Sequence, residues 1–167
     1  GDVVRTYSSK EDEGVSVEKG MNLILWDLGY PGADIVDDAF LFRGHRSPIA
    51  VPGIYQVRMT LGNWSQTQTF EVKKDPRLTT TQDDFQEQFD LAIEIRDIIS
   101  DLTAAIRSIR DVRNQLENLV IYTKKAGVDE NIATNALNIS ERLTSIEEQF
   151  IQTKHEDRLD TCNFPPM

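Results

Sequence analysis

"IYQVRMTLGNWSQTQTFEVKKDPRLTT", residues 54–80, decides the fold. In its first eight residues Tyr55, Val57, Met59 and Leu61 share one face of an extended chain, and Gln56, Arg58 and Thr60 share the other. Gly62-Asn63 follows, and a second alternating run starts at Trp64. Two such runs around Gly-Asn predict a β-hairpin, because those residues accept the positive φ of the primed turns. Asp75-Pro76 then ends the second strand, since proline has no N–H to give a ladder. Beyond it Thr80 and Thr81 suit a helix N-cap, and Asp83 and Asp84 suit the positive end of the helix dipole.

Towards the N-terminus, "VVRTYSS" (3–9) and "MNLILWDL" (21–28) are short, branched and aromatic, as strands are. Val51-Pro52-Gly53 reads as a turn into the hairpin. These elements predict a small Ig-like or fibronectin-like antiparallel β-sandwich over 1–76. It is short of a full set of strands, being either reduced or missing strands at its N-terminal edge.

Towards the C-terminus the period becomes helical. Phe85, Ala92, Ile99, Ile106 and Val120 recur at sevens, with Arg113 in the one gap. Ile95, Leu102, Ile109 and Leu116 form a companion row. A helix over about 81–125 closes with Lys124, Lys125 and Gly127, cations and then glycine at the negative end. Asp129 caps a second helix over about 129–155, with Ile132, Ala136, Ile139, Leu143, Ile146 and Phe150 as its stripe. The short connection makes the pair antiparallel. A matching stripe on the second helix favours this hairpin within one chain over a homodimer through it. The fold class expected is segregated α+β: the sandwich, a long antiparallel helical hairpin over 77–155, and an extended tail over 156–167. At 1.5 Å per residue the helices measure roughly 60 and 40 Å, so the second ends near Ile95. Phe85, Phe89 and Ala92 then lack a helical partner, and they are the candidate residues for binding a partner or a missing C-terminal helix.

The 167 residues carry 28 acids against 18 bases, a net charge of −10. That field opposes nucleic acid and anionic membranes. No apolar run approaches the 18 or so residues of a membrane span. The segment after Gly1 lacks the basic, apolar, small-residue pattern of a leader, and localisation is not read from the N-terminus. Cys162 is the one cysteine, which excludes an intramolecular disulfide and a cysteine-based zinc site.

Chemistry-bearing residues are few. Asp27, Asp34, Asp37 and Asp38 have the type for hydrolysis or cation binding, but "DIVDD" lacks calcium-loop spacing and reads as turn-capping aspartates. His45 lies between Arg43 and Arg46 in a loop suited at most to an anion, and His155 is too remote to join it in a metal site. Trp26, Tyr30 and Trp64 have the rings to stack on a sugar, although at strand and turn positions such rings more often pack a core or an edge. Asn63-Trp64-Ser65 and Asn138-Ile139-Ser140 match the glycosylation pattern, the second within a helix. No catalytic, cofactor-binding or metal-binding residue is assigned.

Taken together, "MNLILWDLGYPGA", "SPIAVPGIYQVRMTLGNWSQTQTFEVKKDPR" and "FDLAIEIRDIISDLTAAIRSIRDVRNQLE" resemble the C-terminal region of bacterial BNR/Asp-box, or sortilin-type, β-propeller repeat proteins, often labelled glycosyl-hydrolase-like. Gly20, Asn22, Trp26, Asp27, Tyr30, Pro31 and Gly32 fill one motif. Pro52, Gly53, Tyr55, Val57, Arg58, Asp75, Pro76 and Arg77 fill another. The β-part is also similar to the Ig-like domain of flagellar hook-capping proteins, which makes "WDLGYPG" a core strand's end and its exit turn. Gly29 stands where the propeller family commonly has arginine. The propeller and its Asp-box repeats are absent from this chain, and any hydrolase label belongs to them. The resemblance implies a secreted, periplasmic or cell-surface protein. It implies partners in its own N-terminal propeller and in a further C-terminal helix past Met167, or in another protein, with no cofactor. The expected role is a non-catalytic accessory module. The alternative is a carbohydrate-binding module using Trp26, Tyr30 and Trp64, and a hydrolase fragment using Asp27 or Asp34 is a third.

Overall fold

In a computed structural model the chain is a mixed α and β protein, an antiparallel strand pair followed by two helices. The structure describes residues 1–10, 15–36, 47–127 and 129–151. Asp37, Asp38, Arg43, His45, Arg46, His155, Cys162 and the expected tail lie outside the described residues. Packing divides the chain into one unit of Gly1–Gly32 with Arg46–Arg96 and another of Ala33–His45 with Asp97–Met167. Asp75-Pro76, the expected junction, lies inside the first unit.

In the first unit β1 (Gly53–Leu61) pairs with β2 (Trp64–Val72) in the register Tyr55↔Phe70, Val57↔Gln68, Met59↔Gln66, Leu61↔Trp64. Two residues make the turn. Gly62 has φ +56° and Asn63 does not have positive φ, as a II′ turn led by glycine requires.

The expected strands at 3–9 and 21–28 do not form ladders, and a sandwich is not shown among the described residues. The chain at 21–28 is extended, but Leu28 turns out of it at φ 63°. Among the described residues Leu28–Tyr30 meets another segment in antiparallel fashion, at the Gly29↔Ile49 bridge. Tyr30 N donates to Pro48 O (2.8 Å), and Ala50 N donates to Leu28 O (2.8 Å). Met21, Leu23 and Leu25, which a sandwich would cover on one face, are exposed.

α1 (Gln82–Ala126) starts where its caps predict. Asp84 N donates to Thr81 Oγ1 (3.2 Å), while Thr81 N and Oγ1 both donate to Asp84 Oδ2 (2.8 and 2.7 Å), a reciprocal capping box. The hydroxyl and then the amide of Thr81 hold the Asp84 carboxyl below its ordinary range. α1 ends at Lys124, Lys125 and a left-handed Gly127. α2 (Glu130–Glu147) is capped by Asp129, whose carboxylate accepts from Asn131 N (3.0 Å). It is shorter than the expected 129–155, because residues 148–150 form turns and residue 151 a bend.

In the second unit Val120 of α1 packs with Ala133 and Ala136 of α2, and Leu116 lies beside them. The buried side of α2 is Ala133, Ala136 and Glu147. The expected stripe is therefore corrected by a fraction of a turn: Ile132, Ile139 and Ile146 stay part-exposed beside the contact, and Phe150 is half-exposed. Alanines at the contact are small enough to seat Val120 between them, where isoleucines would be bulkier.

Candidate interaction surfaces

Residues one apart in β1 point to opposite faces, so the register sets Tyr55, Val57, Met59 and Leu61 beside Phe70, Gln68, Gln66 and Trp64. One end of that face is closed. The Trp26 ring stands edge-on to Tyr55 (5.6 Å between centroids) and to Phe70 (6.1 Å). Its indole N–H donates to Gly29 O (3.0 Å), which satisfies the polar end of a part-buried ring. Tyr55 Oη donates to Val51 O (2.8 Å). Burial raises the Tyr55 phenol above its ordinary value, and Tyr30 nearby adds to the rise. Tyr30 in turn meets Phe89 of α1 edge-on at 4.7 Å.

The other end of the face is open. Val57, Met59, Leu61 and Trp64 are 49–69% exposed. Val57, Met59, Trp64, Gln66 and Gln68 line a shallow, mostly apolar hollow of about 190 Å³. Trp64 lies six residues along the strand from Phe70, or roughly 20 Å at strand rise.

This geometry sorts the residues singled out from sequence. Trp26, Tyr30 and Trp64 do not make one platform: the first two pack inward and the third faces solvent. Phe89 is half-buried under Tyr30, while Phe85 and Ala92 are also half-buried. Asp27 accepts from Gly29 N (3.0 Å) and from Arg5 (3.4 Å), and so holds the exit turn. A side chain at Gly29 would bring its first carbon to 3.0 Å from Asp27 Oδ1, so the Asp27 carboxylate would have to shift to admit one. Asn63 occupies the hairpin turn, and Asn138 is exposed on α2.

Asp34 belongs to the second unit. Its amide donates to Ser100 Oγ (3.1 Å), and its carbonyl accepts from Thr103 Oγ1 (2.9 Å). Its carboxylate takes a two-pronged bond from Arg107, which also donates to Ile35 O (3.1 Å). The Arg107 guanidinium holds the Asp34 carboxyl below its ordinary range. A carboxylate so engaged anchors the 34–36 segment to α1, and neighbouring Val36 is buried. Among the described residues no group of three or more His, Cys, Asp or Glu side chains is placed to hold a metal ion. Among the described residues no helix is long and apolar enough to cross a membrane.

Two further features have little local signature in the sequence. Glu147 is 1% exposed and accepts from Arg110 Nε (2.7 Å) and Arg113 Nη1 (2.8 Å). The polar residue in the heptad row is thus half of a buried ion pair. Its mark in the sequence was Arg113 itself, but nothing in one helix names its partner on the other. The second feature is a further apolar row on α1, Leu91, Ile98, Ala105, Val112 and Leu119, spaced by sevens and exposed. A count of sevens that began at Leu91 would have found it. Compared with family models, curated proteins and solved structures, the chain matches none.

Proposed function

We propose that the chain is a non-catalytic interaction module, the C-terminal accessory part of an exported β-propeller protein, acting through apolar packing. In this reading β1 and β2 belong to an Ig-like sandwich, with Trp26 as the beginning of a second layer. One observation carries the proposal: the hairpin face is apolar and closed at its Tyr55–Phe70 end, yet it is open at Val57, Met59, Leu61 and Trp64. Large apolar side chains gathered on one face mark a contact surface more often than a solvated one. A propeller domain encoded with this chain should bind it, and Val57→Asp with Trp64→Asp should abolish binding while leaving the fold intact. Absence of any propeller coding sequence beside this one would sink the family part of the proposal.

A second reading has its own support. Trp64 lies beside the amides of Gln66 and Gln68 at the hollow, an aromatic ring with hydrogen-bonding neighbours as sugars favour. Saturable quenching of tryptophan fluorescence by a glycan, lost in Trp64→Ala and kept in Tyr30→Phe, would establish it. Turnover of any glycoside substrate by the isolated chain would overturn the non-catalytic reading.

A further inference from the structure

Among the described residues Leu28 alone has positive φ without being a glycine, at 63°. In that left-handed region the Cβ of an L-residue crowds the backbone carbonyl, so a bulky side chain is disfavoured. In a regular strand Trp26 and Gly29 would lie roughly 10 Å apart, with side chains standing across the chain. The turn at Leu28 instead brings Gly29 back to both preceding side chains. Trp26 Nε1 donates to Gly29 O (3.0 Å), and Gly29 N donates to Asp27 Oδ1 (3.0 Å). Beyond the turn the chain is pinned, since Ala50 N donates to Leu28 O and Tyr30 N to Pro48 O, both at 2.8 Å. Before it, Trp26 is held against the rings of Tyr55 and Phe70. A strained residue persists only where its surroundings over-determine it, and such residues gather at clamps and switches. Here contacts fix the chain on both sides of the turn, and Leu28 absorbs the mismatch between them.

We propose that Leu28 is the hinge of a removable cover, and that its strain lowers the cost of lifting Trp26 from the hairpin face. Rotation of Leu28 to negative φ relieves the strain and extends the chain over 26–29. It withdraws the indole from Gly29 O and from the Tyr55 and Phe70 rings, while the bridge to Ile49 stays. Trp26 is only half-buried, so lifting it forfeits less contact area than an enclosed ring would. The apolar face then runs open from Leu61 and Trp64 through to Tyr55 and Phe70. In purpose this rests on the contact-surface reading, since the hinge sets how much of that face a partner meets.

Trp64→Phe leaves Trp26 as the one indole of the 167-residue chain. In that background, hydrogen exchange at its ring N–H, read by nuclear magnetic resonance, reports the lifting. Leu28→Gly accepts positive φ without strain and should slow exchange about fivefold. Leu28→Asn, which also tolerates positive φ, should fall on the same side. Leu28→Val disfavours positive φ more than leucine does and should speed exchange about fivefold, with helical dichroism unchanged. A residue that acted through strand propensity or apolar packing would give the reverse order, valine slowest and glycine fastest. Any order other than glycine slowest and valine fastest, equal rates included, would overturn the proposal, and asparagine on the valine side of leucine would do so even if Leu28→Val failed to fold. The readout needs no partner, whereas the contact surface is tested by propeller binding in Val57→Asp with Trp64→Asp, so failure of the hinge and failure of the surface are read separately.

Discussion

The strand pair of the first unit and the helix pair of the second are both antiparallel and both turn on a left-handed glycine, Gly62 in one and Gly127 in the other. They differ in what fastens them. The strand pair is locked by aromatic rings at its far end, where Trp26 meets Tyr55 and Phe70. The helix pair has a thin apolar contact of Val120, Ala133 and Ala136 and an ionic clasp at its far end. Ring packing is non-directional and gains from area, whereas a buried carboxylate is tolerated only while both guanidinium groups reach it. The same topology is therefore held by burial in one unit and by charge pairing in the other.

Substitution and titration experiments, in descending order of effect, separate these fastenings. Trp26→Ala should cost about 3 kcal/mol, near the lower bound for deleting a large ring because Trp26 is only half-buried. Chemical denaturation followed by near-ultraviolet dichroism would measure it, and a loss below about 1 kcal/mol would mean that the rings do not fasten the hairpin. Glu147→Ala should cost about 2 kcal/mol, less than for a fully buried pair because the arginines are about 30% exposed and can turn to water. Hydrogen exchange should speed up along 130–147 while β1 and β2 are unchanged. Replacing Arg113 and Glu147 together by leucine should restore most of that stability, since apolar isosteres of a buried pair are often neutral. Thr81→Ala removes the hydroxyl of the capping box and should cost about 1 kcal/mol, read as fraying of the first turn of α1.

Titration gives the smallest effects, with opposite signs. The Asp34 carboxyl is lowered by Arg107, so its contribution is present above its ordinary value of 3.8 and lost as pH falls through the folded value. Arg107→Ala should move its carbon resonance titration upward. The Tyr55 phenol is raised chiefly by burial, so its contribution is present below its ordinary value of 10.0 and lost as pH rises through the folded value. Among the tyrosines its phenolate absorbance should appear late, and Tyr55→Phe should remove that late step.

Much of this architecture was legible because it is local. The Gly62 turn, the strands on either side, the Thr81–Asp84 cap and the Gly127 stop each follow from chemistry within a few residues. The site was less legible. Trp26, Tyr30 and Trp64 are alike as residue types, yet contacts with Tyr55, Phe70 and Phe89 draw two inward and leave the third on the surface. Glu147 has no local sign at all, since its partners stand 37 and 34 residues away.

Sequence alone determined the Gly62 turn, the Thr81 cap that starts α1 and the Gly127 that stops it, and that α1 carries apolar residues at heptad spacing, because caps, turns and periodicity are properties of a short stretch of chain. Only the tertiary structure decided which of its apolar rows meets α2. Ala133 and Ala136 accept Val120, and Glu147 accepts Arg110 and Arg113, while Ile98, Val112 and Leu119 remain exposed. The reason is geometric: apolar rows on one helix are equivalent until a second helix arrives, and that helix's small residues and one buried charge choose among them.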